Sequence, residues 1–177
     1  MKHTELLEGK KQKIVEVLSS LPRKILGLHG RDNIVEFVLH ELSRQECFDL
    51  SKAAYVIDNP DFDCLKGVAG FQSPEAFDLT CDIWAHPDSF SEHMKKASYN
   101  TAVRCLNRES CVKKGAQDEK IVQEIARDLG FDHPSFYAWN MKNNNHGILL
   151  YEKNDNTACD CDYLLEGLGL IGFCPIF

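Results

Sequence analysis

With 27 acidic against 20 basic side chains, this 177-residue chain carries a net charge of −7 and no dense lysine or arginine run, which argues against nucleic acid as its partner. Its apolar share of 44% and charged share of 27% are ordinary for a folded protein and exclude a largely disordered one. The length suits one domain over residues 1–177, able to bury a core without metal or disulfide staples.

The first residues reach Lys10 before a signal-peptide core can form, and no apolar run of roughly 18 residues occurs, so no membrane span is expected. The chain is cysteine-rich, with Cys47, Cys64, Cys81, Cys105, Cys111, Cys159, Cys161 and Cys174. Without a secretory segment these are expected as reduced thiols in the cytoplasm, several of them small buried apolar residues.

Thr4 caps a first predicted helix over 5–20, with Ile14, Val15, Leu18 and Leu21 as its stripe and Pro22 as its limit. Asn33 and Glu36 read as the capping pair of a second helix that buries Ile34, Phe37, Val38 and Leu42 and ends near Arg44, so that N-terminal helices occupy about 5–45. Three strand candidates follow within 52–86, at 52–58, 63–71 and 77–86. In the third, Phe77, Leu79, Cys81 and Ile83 alternate with Asp78, Thr80, Asp82 and Trp84, the period of a half-exposed antiparallel strand.

Ser89 with Glu92 forms a capping-box pattern for a helix over about 90–106, residues 108–115 read as a loop, and a further helix spans 118–129 before Gly130. The segments 134–141 and 146–153 predict a hairpin across Asn143, Asn144 and Asn145, with Phe136, Tyr137, Trp139 and Tyr151 as cross-strand partners. A polar loop over 154–162 and an apolar tail over 163–177 follow. This order predicts an α+β protein with a mainly antiparallel sheet of about five strands and helices packed on one face.

His86 and Asp88 stand two apart around Pro87. With His133 or His146 as a third ligand they outline a facial triad for non-haem iron, or a zinc site. The plainer alternative has Pro87 ending a strand, Asp88 beside the positive end of the next helix and His86 on the surface. A variant without metal has His86 and free N–H groups at the same junction binding a carboxylate or phosphate.

Asp58, Asp61 and Asp63 can hold a hard cation, or simply make a turn. Cys159 and Cys161 can share zinc with Cys105 and Cys111, or act as a vicinal redox pair. Other patterns break at a required position. Gly167, Gly169 and Gly172 spell a dinucleotide fingerprint but Pro175 stands where a helix must follow, and His40-Glu41 is followed by Arg44 where the zinc-protease motif needs a second histidine. A calcium loop from Asp155 to Glu166 has Asp160 in the glycine position. A cysteine–histidine pair, such as Cys64 or Cys81 with His86, stays open.

A soluble cytoplasmic accessory or regulatory protein is therefore expected. It binds a protein partner or a small molecule, with a homodimer as one arrangement. The alternative is a metal-dependent enzyme that holds iron or zinc through His86, Asp88 and His133 or His146.

Overall fold

The computed structural model describes residues 2–78, 80–154, 161–172 and 174. Strands β1 (Leu50–Asn59), β2 (Cys64–Gln72), β3 (Asn107–Arg108), β4 (Ser135–Asn140) and β5 (His146–Lys153) form one antiparallel sheet in the order β3-β2-β1-β5-β4. The helices are α1 (Lys2–Gly27), α2 (Ile34–Ser43), α3 (Pro87–Lys96), α4 (Ser98–Cys105), α5 (Asp118–Asp128) and α6 (Cys161–Ile171). The predicted α+β class and five-stranded antiparallel sheet are both present.

Helices cover both faces of the sheet rather than one. Ala53, Tyr55, Ile57, Leu149 and Tyr151 point to one side, into a core shared with α1, α2 and α6. Ala54, Val56, Ile148 and Leu150 alternate to the other side and meet α4 and α5. The continuous apolar run from Ala53 to Ile57 is the signature of a central strand covered on both sides. Gly67 and Gly70 let α4 lie directly on β2. A Cβ at Gly67 would stand 1.8 Å from the Val103 carbonyl oxygen, and one at Gly70 would stand 2.6 Å from Val103 Cγ2.

Four expectations about elements need correction. Pro22 lies inside α1 instead of ending it. The apolar stripe continues past it, with Leu18 and Leu21 buried before and Ile25 half-buried after, and that burial offsets the lost backbone bond. The predicted strand at 77–86 is a chain of turns. Asp78 Oδ1 accepts from Thr80 N and Oγ1 at 2.9 and 2.7 Å, and Asp82 Oδ1 accepts from Trp84 N at 3.0 Å. These local bonds compete with a ladder. The apolar positions Phe77 and Ile83 are still used, packed on Phe37, Phe90 and Met94.

The helix expected over 90–106 is two helices that meet at Ala97. The break lets Asn100 Nδ2 reach Met94 O at 3.1 Å and Glu36 Oε1 at 2.9 Å, while Glu75 Oε2 accepts from Tyr99 N at 2.8 Å. Glu36 and Asn100 are buried, and Arg104 Nη1 supplies the opposing charge at 2.7 Å. Neither capping box forms as expected. Asn33 is the N-cap of α2 but gives its amide to Glu36 Oε2, and α3 begins at Pro87 with His86 as N-cap.

Of the apolar tail expected over 163–177, residues 163–171 belong to the helix α6, and residues 173 and 175–177 lie outside the described residues. Its glycines sit inside a helix, so they make no strand-to-helix phosphate turn. A Cβ at Gly167 would lie 3.0 Å from Leu42 Cδ2, so this glycine lets α6 pack close to α2.

Candidate functional site

At the end of the sheet nearest the β1–β2 turn, the last inward residue of β1 is Asp58, with no exposed surface. Its carboxylate takes hold of the loop between β3 and α5. Oδ1 accepts from Ser110 Oγ at 2.5 Å, and Oδ2 accepts from the amides of Cys111 and Val112 at 2.8 and 3.1 Å. Ser110 is equally buried, and its Oγ accepts in turn from Lys113 N at 3.0 Å. Successive amides converging on one carboxylate make an anion nest filled by the chain itself. Asp63 adds a bond from Ser110 N at 3.2 Å and an ion pair with Lys113 at 3.2 Å. Gly115, with φ of +71°, then turns the chain toward α5.

The start of α5 is tied to the sheet by His146, whose Nε2 lies 2.8 Å from Asp118 Oδ1 and whose Nδ1 lies 3.1 Å from Asn140 Oδ1. The pinned loop, β3 and α5 enclose an open cleft of about 810 Å3. Ile121, Ala116 and Cys111 give it apolar wall, and Arg108, Lys114 and Lys120 bring positive charge. Arg108 is engaged by Glu124 and Asp128, and Lys114 by Glu109. Lys120 makes no ion pair with a described residue, so its ammonium is the cation with a charge left to give. Burial first, then the charges of Asp58 and Glu124, push the Cys111 thiol above its ordinary range, which makes it a poor nucleophile.

The residues singled out from the sequence fall elsewhere. His86 is exposed at the start of α3, and Asp88 is exposed and paired with Arg31 at 2.7 Å. His133 is exposed, and its backbone amide bonds Glu152 Oε1 at 2.9 Å. His146 has Asp118 and Asn140 as its partners. The triad of His86, Asp88 and His133 or His146 is thus not assembled, and among the described residues no three His, Cys, Asp or Glu side chains are placed to hold a metal ion. Asp58 and Asp63 both accept from Ser110, but Asp61 stays at the exposed turn, so the three carboxylates do not gather as a cation site.

Cys159 lies outside the described residues, as does the side chain of Cys161. Cys105 and Cys111, their proposed companions, are free thiols. Cys64 bonds Asn107 Oδ1 at 3.3 Å and Cys81 bonds Asp82 O at 4.0 Å, so neither pairs with His86. No segment of any described helix is long and apolar enough to cross a membrane.

No protein-family model, curated protein or solved structure matches the chain.

Proposed function

We propose that this chain is an accessory or regulatory protein that binds a small anionic ligand in the cleft between the 109–117 loop and α5, with no chemistry of its own. The observation that carries this reading is the cleft itself. Its volume of about 810 Å3 lies within the usual range for small-molecule sites, and cations outnumber carboxylates along its walls although the whole chain is at −7. Lys120 is the group that favours negative charge, because the first turn of α5 carries Asp118 and Glu119, which offset the positive end of the helix. Binding is preferred to catalysis because the cleft offers no activated nucleophile: the Cys111 thiol is held protonated and His146 already has oxygen partners at both nitrogens. The described free thiols suit a reducing compartment, which supports a cytoplasmic setting.

The experiment is an amide-resolved NMR titration of the full chain with pyrophosphate, citrate and ATP in turn. Shifts centred on Gly115, Gln117 and Lys120, lost in Lys120→Glu, are expected for at least one probe. Unmoved signals at these residues with all three, or shifts confined to another surface, would refute the assignment.

A further inference from the structure

The two edges of the sheet are treated differently. On the β2 side the backbone is closed off. Gly67 N donates to Leu106 O at 2.9 Å, Gly70 N donates to Asn100 Oδ1 at 2.9 Å, and the strand beyond, β3, is only two residues long. Short strands and side-chain covers of this kind keep an edge from pairing with another chain. On the far side, among the described residues, β4 shows none of these devices. Its sequence, Ser135-Phe136-Tyr137-Ala138-Trp139-Asn140, holds no charge and no proline, and its register with β5 runs without a bulge.

The free groups can be named. Met141 N donates to Asn145 O at 2.8 Å, which fixes which residues of the hairpin exchange bonds. By alternation Ser135, Tyr137 and Trp139 bond inward to β5, and the N–H and C=O of Phe136, Ala138 and Asn140 point outward. Among the described residues nothing pairs with them.

We propose that β4 is the contact of a homodimer, in which two copies join their sheets edge to edge about a two-fold axis at Ala138. Three observations favour a second copy as the occupant. Two chains at −7 repel each other over most of their surface, and β4 is a strip that adds nothing to that repulsion. An antiparallel strand pair is self-complementary under two-fold symmetry, so one uncapped edge satisfies another. Pairing about Ala138 also sets Tyr137 opposite the second copy's Trp139 on one face, in a non-hydrogen-bonded position where side chains approach most closely. Both rings already stand half-buried on that face, stacked on Tyr151 and Tyr55 at 5.9 and 5.6 Å. The contact is small, so the dimer is weak and concentration-dependent.

Sedimentation equilibrium and hydrogen exchange on the full chain test this together. The mass is expected to rise from 20.1 kDa toward twice that value between micromolar and millimolar protein. The amides of Phe136, Ala138 and Asn140 should gain protection over the same range, while those of Tyr137 and Trp139 are protected throughout. Ala138→Pro removes an outward donor and Ala138→Glu sets like charges face to face across the axis, so either variant should stay at 20.1 kDa with the wild-type circular dichroism spectrum. A single 20.1-kDa species at every concentration overturns the proposal, including the case in which an unrelated peptide adds to the edge. So does a dimer that leaves these amides unprotected, or protection of them already complete in the monomer.

Discussion

Asp58 and Ser110 lie 52 positions apart in the chain and meet through a 2.5 Å bond, with neither side chain exposed to water. That bond and the two amide bonds beside it hold the loop that forms one wall of the cleft. Asp58→Ala would bury the Ser110 hydroxyl and the amides of Cys111 and Val112 without an acceptor. The expected cost is roughly 3 kcal/mol, read as a lower urea midpoint, together with faster exchange of those two amides. Asp58→Asn keeps one acceptor oxygen and should cost less. A midpoint equal to that of wild type for Asp58→Ala, with both amides still protected, would mean that the loop is held by something else.

His40 makes stability depend on acid. The residue is 2% exposed, its ring stands edge-on to Phe71 and Phe90, and neither nitrogen has a partner among the described residues. Burial, with the nearby charges of Arg44 and His93, lowers its pKa from 6.5 to about 4. An unfolded chain takes up this proton near its ordinary pKa and the folded chain does not. His40 therefore costs nothing in charge above about pH 6.5 and progressively destabilises the fold as pH drops toward 4, by about 3 kcal/mol at the end of that window. Urea titrations at neutral pH and near pH 4.5 should show a smaller difference for His40→Leu than for wild type. Equal differences in the two proteins would locate the acid sensitivity in other groups.

The parts of the fold legible in the sequence were those governed by local rules. The period of Ile121, Val122 and Ile125 marked α5, and the asparagine turn marked the β4–β5 hairpin. At residues 77–83 the alternation was real, but apolar residues can be buried against helices as well as in a sheet, and the Asp78 and Asp82 turns decided between the two. The cleft was not legible. Asp58 looked like a turn residue among other acids, and its meaning depends on Ser110 arriving from a distant loop. His146 was singled out as a ligand for metal, and its partner turned out to be Asp118, 28 residues earlier. No spacing rule connects such pairs, because their contact exists only after the sheet has formed.

The helical setting of the glycines in α6 can be checked by two substitutions of unequal effect. Gly169 is exposed and a Cβ there would meet nothing within 4 Å. Gly169→Ala should raise stability by about 0.5–1 kcal/mol through helix propensity alone. At Gly167 the added methyl would lie 3.0 Å from Leu42 Cδ2 and 3.2 Å from Leu18 Cδ2, so those methyls must give way by a few tenths of an ångström and Gly167→Ala should gain less than Gly169→Ala. A gain at Gly167 as large as that at Gly169 would contradict the packing of α6 described above.

Thiol reactivity should follow burial along a sharp gradient. Cys105 is exposed on α4. Cys47 and Cys174 are buried in the core beneath α1, α2 and α6, where loss of hydration pushes their thiols up to about 12 and about 11. The thiolate is the reactive form, so a thiol at about 12 is ionised to only about one part in ten thousand at pH 8 even before access is considered. With a disulfide reagent and mass spectrometry, Cys105 should be modified first among the described cysteines, and Cys47 and Cys174 only as fast as the core opens. Adding urea below the unfolding midpoint then distinguishes two routes of opening. If Cys47 and Cys174 accelerate together, the α1–α2–α6 layer opens as one unit. If Cys174 accelerates alone, α6 detaches while the α2–β1 connection stays closed, and the core beneath it is held by α1 and α2 without its help.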